Sequence, residues 1–544
     1  MTNNPNTGVR EDENVANPRT PVSLLPPGRE LPQQNVDART ESHYFGVTQE
    51  PLAGKAHLMK PTILVLVITA AVVLTIAVHS RGQGSPQPSQ AQEAVTGFDD
   101  QSNGFSDPGR RTADQKFFEE VEHTAPDGLG PIYNAQSCRE CHQTPVSGAA
   151  SQVSEFRAGH LDPHGFFQNP EVPINRGTEV IRDRTLINDR AICPEVQEHV
   201  PETETIRTSR MTTSSLGDGY VEAIPDETLL KIRREQCRAS HRKICGQAVK
   251  VPVPEAEGPD RIGRFGWKDQ HASLLAFAAD AYLNEMGITS TLQKAEVTMT
   301  CNPAVATTVP NSDPTKVTEP NSQPDPNDNN LEDVDHFASF MRSLKAPARD
   351  EIAAVTPDAK RGAELFTKIG CAICHVDTIV TGKSPASPGG PGLHPEAVEN
   401  RTIHPFSDFL LHDVGTGDGI SVALIEHFGR QRVEKRFREE SEAGETKGGA
   451  TNQEDECSES YQTAVAEGEK HPKLLRDTLC ARNKIRTAPL WGLRLRSRLM
   501  HDGNSVQLDD AIRRHRHEAE EVSERFFKLK PADQKAVLAF LESL

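Results

Sequence analysis

The sequence predicts a mainly α chain of two domains. Each is assembled around a Cys-x-x-Cys-His motif and interrupted by long loop insertions, and one apolar helix that spans or targets a membrane precedes them. Three observations predict this. Both motifs follow stretches with helical apolar spacing. An uncharged run of 17 residues occupies Thr62–Val78. Polar Pro-, Asn- and Glu-rich tracts interrupt the remainder. With 544 residues the chain allows two to four domains at ~150 residues each. Its 60 basic and 78 acidic residues give a net charge of −18, which excludes nucleic acid as the partner. Ten cysteines are too few for a disulfide-built scaffold at this length.

Residues 1–58 are rich in Asn, Pro, Gln, Asp and Glu without a sustained apolar period, so they are predicted to be disordered. Residues 59–80 are assigned as a transmembrane anchor or signal peptide around TILVLVITAAVVLTIAV. This run is short for a span and long for a signal core. Lys55 and Lys60 before it and Arg81 after it place the N-terminus inside. Met59-Lys60 also reads as the start of a signal peptide, which would make the first 58 residues a misassigned start. Against cleavage, no small-x-small site lies close behind Val78, since Ser89-Gln-Ala91 is distant. Polar flanks disfavour a buried core helix. A linker fills residues 81–110. Both leading readings place everything after residue 80 in a periplasmic or other extracytoplasmic compartment, membrane-anchored in the first case.

Cys138-Arg-Glu-Cys141-His142 and Cys371-Ala-Ile-Cys374-His375 match the c-type haem attachment pattern. Two thiols at this spacing reach the two haem vinyl groups, and the adjacent His reaches the iron from one face. Chance supplies on the order of 0.01 such matches in this composition, which sets aside a redox dithiol or half a zinc site. Two covalently bound haem c groups are therefore expected, with His142 and His375 on the irons.

Pro357–Ile369 reads as an amphipathic helix with Ala363, Leu365, Phe366 and Ile369 on or near one face, running into Gly370 and the second motif. A second helix, opened by Pro531, closes the chain. The pair looks like the crossed terminal helices of a cytochrome c domain, where Gly362 and the rings of Phe366 and Phe540 suit the crossing. Residues 346–544 are assigned to that domain. Thr112–His123, with Phe117, Phe118 and Val121, is the helix before the first motif, whose domain is set at 111–345. Asn311–Asn330 must be a loop, and the acidic, Gly-rich Glu439–Glu469 a solvated surface insertion.

Further stretches come in a specific order. Gly217-Asp-Gly-Tyr-Val-Glu-Ala-Ile-Pro-Asp226, Gly263-Arg-Phe-Gly-Trp-Lys268 and Asn284-Glu-Met-Gly-Ile-Thr289 follow the first motif. Pro405-Phe-Ser-Asp-Phe-Leu-Leu-His-Asp413, Arg486-Thr-Ala-Pro-Leu-Trp-Gly-Leu493 and His501-Asp-Gly503 follow the second. With the two motifs they make the chain similar to the bacterial di-haem oxidoreductase family, relatives of the diheme cytochrome c peroxidases, over about residues 112–544.

The resemblance implies roles residue by residue. The family's electron-transfer haem takes its second ligand, usually Met, fourteen residues after the His of H-x-G; here that position is His515. Leu508, Ala511, Ile512 and His515 share a helical spacing that turns the ring inward. His375 and His515 are then the axial pair of the second haem, with His517 and Met500 as rivals. Exchanging Met for His lowers the reduction potential. Trp267 matches the tryptophan between the haems, with core packing as its ordinary alternative, and Leu274 also fits. Glu285 resembles the distal glutamate that assists O–O cleavage, against a role as cap or salt-bridge partner. The family's upstream Gln is not matched, with Leu275 and Phe277 in that region, and the Trp267-to-Glu285 spacing is two residues shorter. Glu222 is an alternative acid, and Asp226 is read as a helix N-cap. His160 or His164 is a further candidate ligand of the first haem. Calcium between the domains is also implied, with ligands not identifiable from the sequence.

Six cysteines remain, allowing up to three disulfides; Cys237–Cys245 and Cys457–Cys480 are the expected pairs. Cys237-x3-His241-x3-Cys245 as a metal site is the lesser alternative. The leading expectation is an exported diheme oxidoreductase. Its C-terminal haem takes electrons from a small cytochrome or cupredoxin and passes them through Trp267 to a peroxide-reducing N-terminal haem. The alternatives are a non-enzymatic diheme electron carrier and a diheme oxygenase or protein-modifying oxidase.

Overall fold

Helix α1 (Pro108–Glu119) starts where Asp107 accepts the Arg110 N–H at 2.8 Å and Pro108 opens the first turn. In this computed structural model residues 91–544 are described, apart from 125–126, 164–166, 175–178, 183, 257, 302–321, 384–390 and 422–480. The chain divides into Met1–Gln87, which lies outside the described residues, and Pro88–Leu544, to which everything below belongs.

After α1 the first motif forms one short helical turn, Cys138–Cys141, capped by Ser137. An antiparallel four-stranded sheet follows. Its longest strand, β1 (Ser154–Leu161), pairs with β2 (Phe167–Gln168), β3 (Leu186–Ile187) and β4 (Ile206–Met211). The Cys193–Cys301 disulfide lies beside the small apolar core behind this sheet. Next come α2 (Asp226–Ala239), α3 (Leu274–Met286) and α4 (Asp333–Arg342). Ser273 caps α3 through the Ala276 N–H, and Gly287 ends it at φ +71, a left-handed turn natural to glycine. Helices α1, α3 and α4 pack together, and Phe118, Tyr282, Phe337 and Phe340 are buried in one core.

Helix α5 (Pro357–Ile369) leads into the second motif. Thr356 caps it, and Gly370 stops it at φ +105. Helices α6 (Leu508–Arg513), α7 (Glu520–Phe527) and α8 (Pro531–Leu541) close the chain. A Cβ on Gly362 would sit 1.9 Å from the Ala536 carbonyl oxygen, so α5 and α8 cross at backbone contact. Phe366 and Phe540 pack beside that crossing, centroids 5.2 Å apart. Near residue 418 a buried ion cluster ties distant segments together. Asp418 pairs with Arg210 at 2.8 Å and Lys268 at 2.9 Å, and the Lys268 ammonium donates to the carbonyls of Ala481, Arg482 and Lys484.

Two expectations are corrected. The described residues are not mainly α: helices of all kinds account for 32% and strands with bridges for 16%, in six small sheets. Most strands are two residues long, and the sides of β1 are not cleanly divided between core and solvent, so no period-2 signal marks them. The preceding membrane or signal helix is not supported either. Among the described residues no helix is long and apolar enough to cross a membrane, and 62–78 lie outside them. The helix expected at 112–123 runs Pro108–Glu119, because the Asp107-Pro108 cap starts it earlier. Residues 322–330 of the expected loop are described and consist of turns and bends with one isolated bridge; the insertion at 439–469 lies outside the described residues.

Candidate functional site

The second motif sits where α5 ends. His375 is half-buried, and its Nδ1–H donates to the Phe406 carbonyl at 2.9 Å, leaving the Nε2 lone pair free. Burial pushes its pKa down to about 4. The neutral ring is the form that ligates iron. His515 follows α6 directly, and its Nδ1–H donates to the Ala511 carbonyl at 2.8 Å. Burial lowers its pKa as well. The centroids of the two rings are 6.4 Å apart and their planes are inclined at 56°. Two imidazoles on opposite sides of one metal, with bonds of roughly 2 Å, stand about this far apart. Of the rivals, His517 is exposed and held by Asp413 at 2.9 Å, while Met500 lines the adjoining cavity.

That cavity has a volume of about 310 Å³. Cys371, Cys374, His375 and His515 line one part of it, and Phe366, Phe526 and Leu541 give it apolar walls. Thr144, Pro145, Ala149 and Ala150, just past the first motif, contribute to its lining, as do Met211 and Trp267. Trp267 is half-buried, and its indole N–H donates to the Met211 carbonyl at 2.7 Å. His501 meets the indole edge-on at 6.1 Å. The tryptophan therefore shares one space with the second motif and with the loop after the first.

At the first motif, His142 is half-buried, and loss of water around its ring pushes its pKa down to about 4. The ring that meets it is Phe118, edge-on at 6.1 Å. Glu285, near the end of α3, acts electrostatically on Cys141 and accepts from the Asn134 side chain at 2.7 Å. Burial and the facing Glu155 carboxylate push Glu285 up to about 8. Glu155, on β1, is held down by Arg157, whose Nε lies 2.6 Å from it. The pair thus holds one proton at neutral pH.

The four motif cysteines are free thiols, whereas the other four described cysteines are paired. Burial pushes Cys141 and Cys371 up to about 12, the opposite of the lowered pKa that activates a redox dithiol or zinc thiolate. Free thiols at this spacing, neutral half-buried histidines and the imidazole pair fit two haems.

Other predicted residues have different employment. Glu222 is buried, makes a two-pronged ion pair with Arg342 at 2.7 and 3.0 Å, and accepts the Leu274 N–H. Asp226 is not an N-cap but the first residue of α2, bonded to Arg264 and the Ile262 N–H. His160 is held by Glu204 at 2.8 Å, and His164 lies outside the described residues. Cys237 and Cys245 are joined as expected, which removes the metal alternative there, while Cys457 and Cys480 lie outside the described residues.

Two features were missed. Glu155 is 130 residues from Glu285 in sequence and carries no motif. His412 is buried between Asp408 at 2.9 Å and Glu518 at 3.0 Å, its Nδ1 3.8 Å from the Cys374 sulfur. The Asp408-x3-His412 spacing was its only signal.

The family described as "Di-haem oxidoreductase, putative peroxidase" matches residues 188–438, somewhat under half the chain. The match contains the second motif, Trp267 and Glu285. Over those residues the chain is similar to a family of di-haem oxidoreductases; the first motif, Cys138–His142, lies outside the match. No curated protein matches. Among solved structures, the hydrazine synthase of Kuenenia stuttgartiensis is 15% identical at a TM-score of 0.32, covering 94% of this chain and 100% of that one. The diheme peroxidase BthA from Burkholderia thailandensis is 15% identical at a TM-score of 0.32, covering 81% and 86%. At those scores neither likeness carries an argument about this fold.

Proposed function

We propose that the chain is an exported di-haem c-type peroxidase in which electrons pass from the C-terminal haem to the N-terminal haem. One observation carries the reading: a proton-holding carboxyl pair stands at Cys141, while the second motif faces a second imidazole. Haem, held by Cys138, Cys141 and His142 and by Cys371, Cys374, His375 and His515, supplies redox-active iron when bound.

The residues divide the remaining work. His375 and His515 are each fixed in one tautomer by a backbone carbonyl, an arrangement that closes a metal to other ligands. Trp267 offers an aromatic ring between the second site and the first motif's loop. Glu285 carries a proton on its carboxyl at neutral pH, with the acceptor Glu155 beside it. The pair can give a proton to one peroxide oxygen and take one from the other. Export is supported by two disulfides, which persist in an oxidising compartment. A small cytochrome or cupredoxin is the proposed electron donor.

EPR of the holoprotein, fully oxidised and then with one electron added, tests the reading. A high-spin ferric signal that peroxide converts supports an open first site. Two low-spin signals that ignore peroxide would sink it and make the chain an electron carrier.

A further inference from the structure

Tyr282 is one of five tyrosines in the chain, and it is placed unlike an ordinary core phenol. It is 2% exposed, one helical turn before Glu285 on α3, with its ring edge-on to Phe337 at 5.1 Å. Its oxygen stands between two acids, 2.9 Å from Asp333 Oδ2 and 3.2 Å from Glu122 Oε1. A phenol has one proton to donate, so one neighbour must donate in return.

The two acids are not equivalent. Burial and the Asp333 charge push Glu122 up to about 8, so Glu122 carries a proton at neutral pH and is the donor. Asp333, the first residue of α4, is half-buried and also accepts from the Ser322 hydroxyl at 3.1 Å. Glu122 is tied to the haem-attachment segment, its N–H donating to the carbonyl of Gln136, two residues before Cys138. Cys138 packs on the core that contains Tyr282 and acts electrostatically on the phenol.

We propose that Tyr282 is a redox-active residue that supplies one electron to the N-terminal haem, with Asp333 taking the phenolic proton. This rests on the peroxidase reading. Reducing hydrogen peroxide to two waters takes two electrons and two protons, the protons entering from solvent by way of the Glu285–Glu155 pair. One electron would be the one already delivered to the haem, and the other would come from the Tyr282 ring. As that electron leaves, the phenolic O–H bond breaks and an O–H bond forms on Asp333, so the side chain becomes a neutral phenoxyl radical. An electron arriving later by way of the C-terminal haem, with return of the same proton, restores the phenol. Tyr282 thus lets the site complete a two-electron reduction when only one electron has been delivered in advance.

The test adds peroxide to the holoprotein after full oxidation and return of one electron, freezes it within seconds and reads EPR. An organic radical is expected that narrows when the protein carries ring-deuterated tyrosine. Tyr282→Phe should abolish most of that signal while the haem's optical response to peroxide persists. Asp333→Asn keeps the phenol and its packing, and should also lose most of the signal because the proton has no acceptor. A radical that ignores the label, or that survives undiminished in Tyr282→Phe, overturns the assignment; undiminished yield in Asp333→Asn overturns the proton step. Haem bands that ignore peroxide overturn the peroxidase reading instead. A photogenerated ruthenium(III) polypyridyl complex then replaces peroxide as the oxidant, and the same label and variants decide Tyr282.

Discussion

The two Cys-x-x-Cys-His sites share a preceding helix and a half-buried histidine whose pKa is pushed down to about 4, yet their surroundings differ. Around Cys371–His375 the chain brings a second imidazole, the α5–α8 crossing and an apolar wall. Around Cys138–His142 it brings carboxyl groups and a phenol: Glu285 with Glu155 near one cysteine, Glu122 and Asp333 with Tyr282 near the other. A site meant only to change oxidation state gains from fixed ligands and little proton traffic. A site that cleaves an O–O bond must also move protons, and buried acids with shifted pKa values are the means. The motifs are the same; the division of labour lies in what neighbouring elements deliver to them.

The largest effect should come from making the second site resemble the first. His515→Ala should convert the C-terminal haem wholly from low spin to high spin by EPR and optical spectra; an unchanged spectrum would remove His515 from the iron. Next, Glu285→Gln should slow peroxide reduction by roughly 10²–10⁴-fold in steady-state assays, the usual worth of a positioned acid or base. Turnover equal to wild type would make the carboxyl structural. Trp267→Phe, which keeps an aromatic ring but loses the bond to Met211, should slow electron transfer between the haems severalfold in stopped-flow reduction, with both spectra unaltered.

The smallest effect sharpens the contrast most. Peroxide reduction should fall as pH rises through about 8, because Glu285 then loses the proton it would give. Glu155→Gln removes the facing negative charge, so Glu285 should ionise at lower pH and the alkaline fall should move down. Burial remains and keeps the carboxyl above its ordinary value of 4.5. An alkaline limb at the same pH in both proteins would separate Glu155 from the acid.

What could be read in advance followed physical range. Pro357–Ile369 was legible to its ends, because Thr356, Pro357 and Gly370 punctuate it locally. Gly362 could be matched to the α5–α8 crossing, since both helices belong to one recognisable pairing. His515 was legible through a fixed distance from His-x-Gly. The sheet β1–β4 was not, because its strands are stabilised by partners up to 57 residues away, as Ser154 with Met211, rather than by their own alternation. Glu155 and His412 were illegible for the same reason. Their significance comes from neighbours at residues 285 and 518, and no local pattern announces a neighbour.

The Lys268 clamp carries one more consequence. It lies next to Trp267, and its ammonium and Asp418 fasten residues 418 and 481–484 to the same buried spot. Residues more than sixty apart in sequence thus meet at a single buried ammonium. Removing that charge takes a donor from three carbonyls and a partner from a buried carboxylate at once, a loss that exceeds any one of the bonds. Lys268 is a keystone: the wall that carries the indole is held up by its neighbour in the chain.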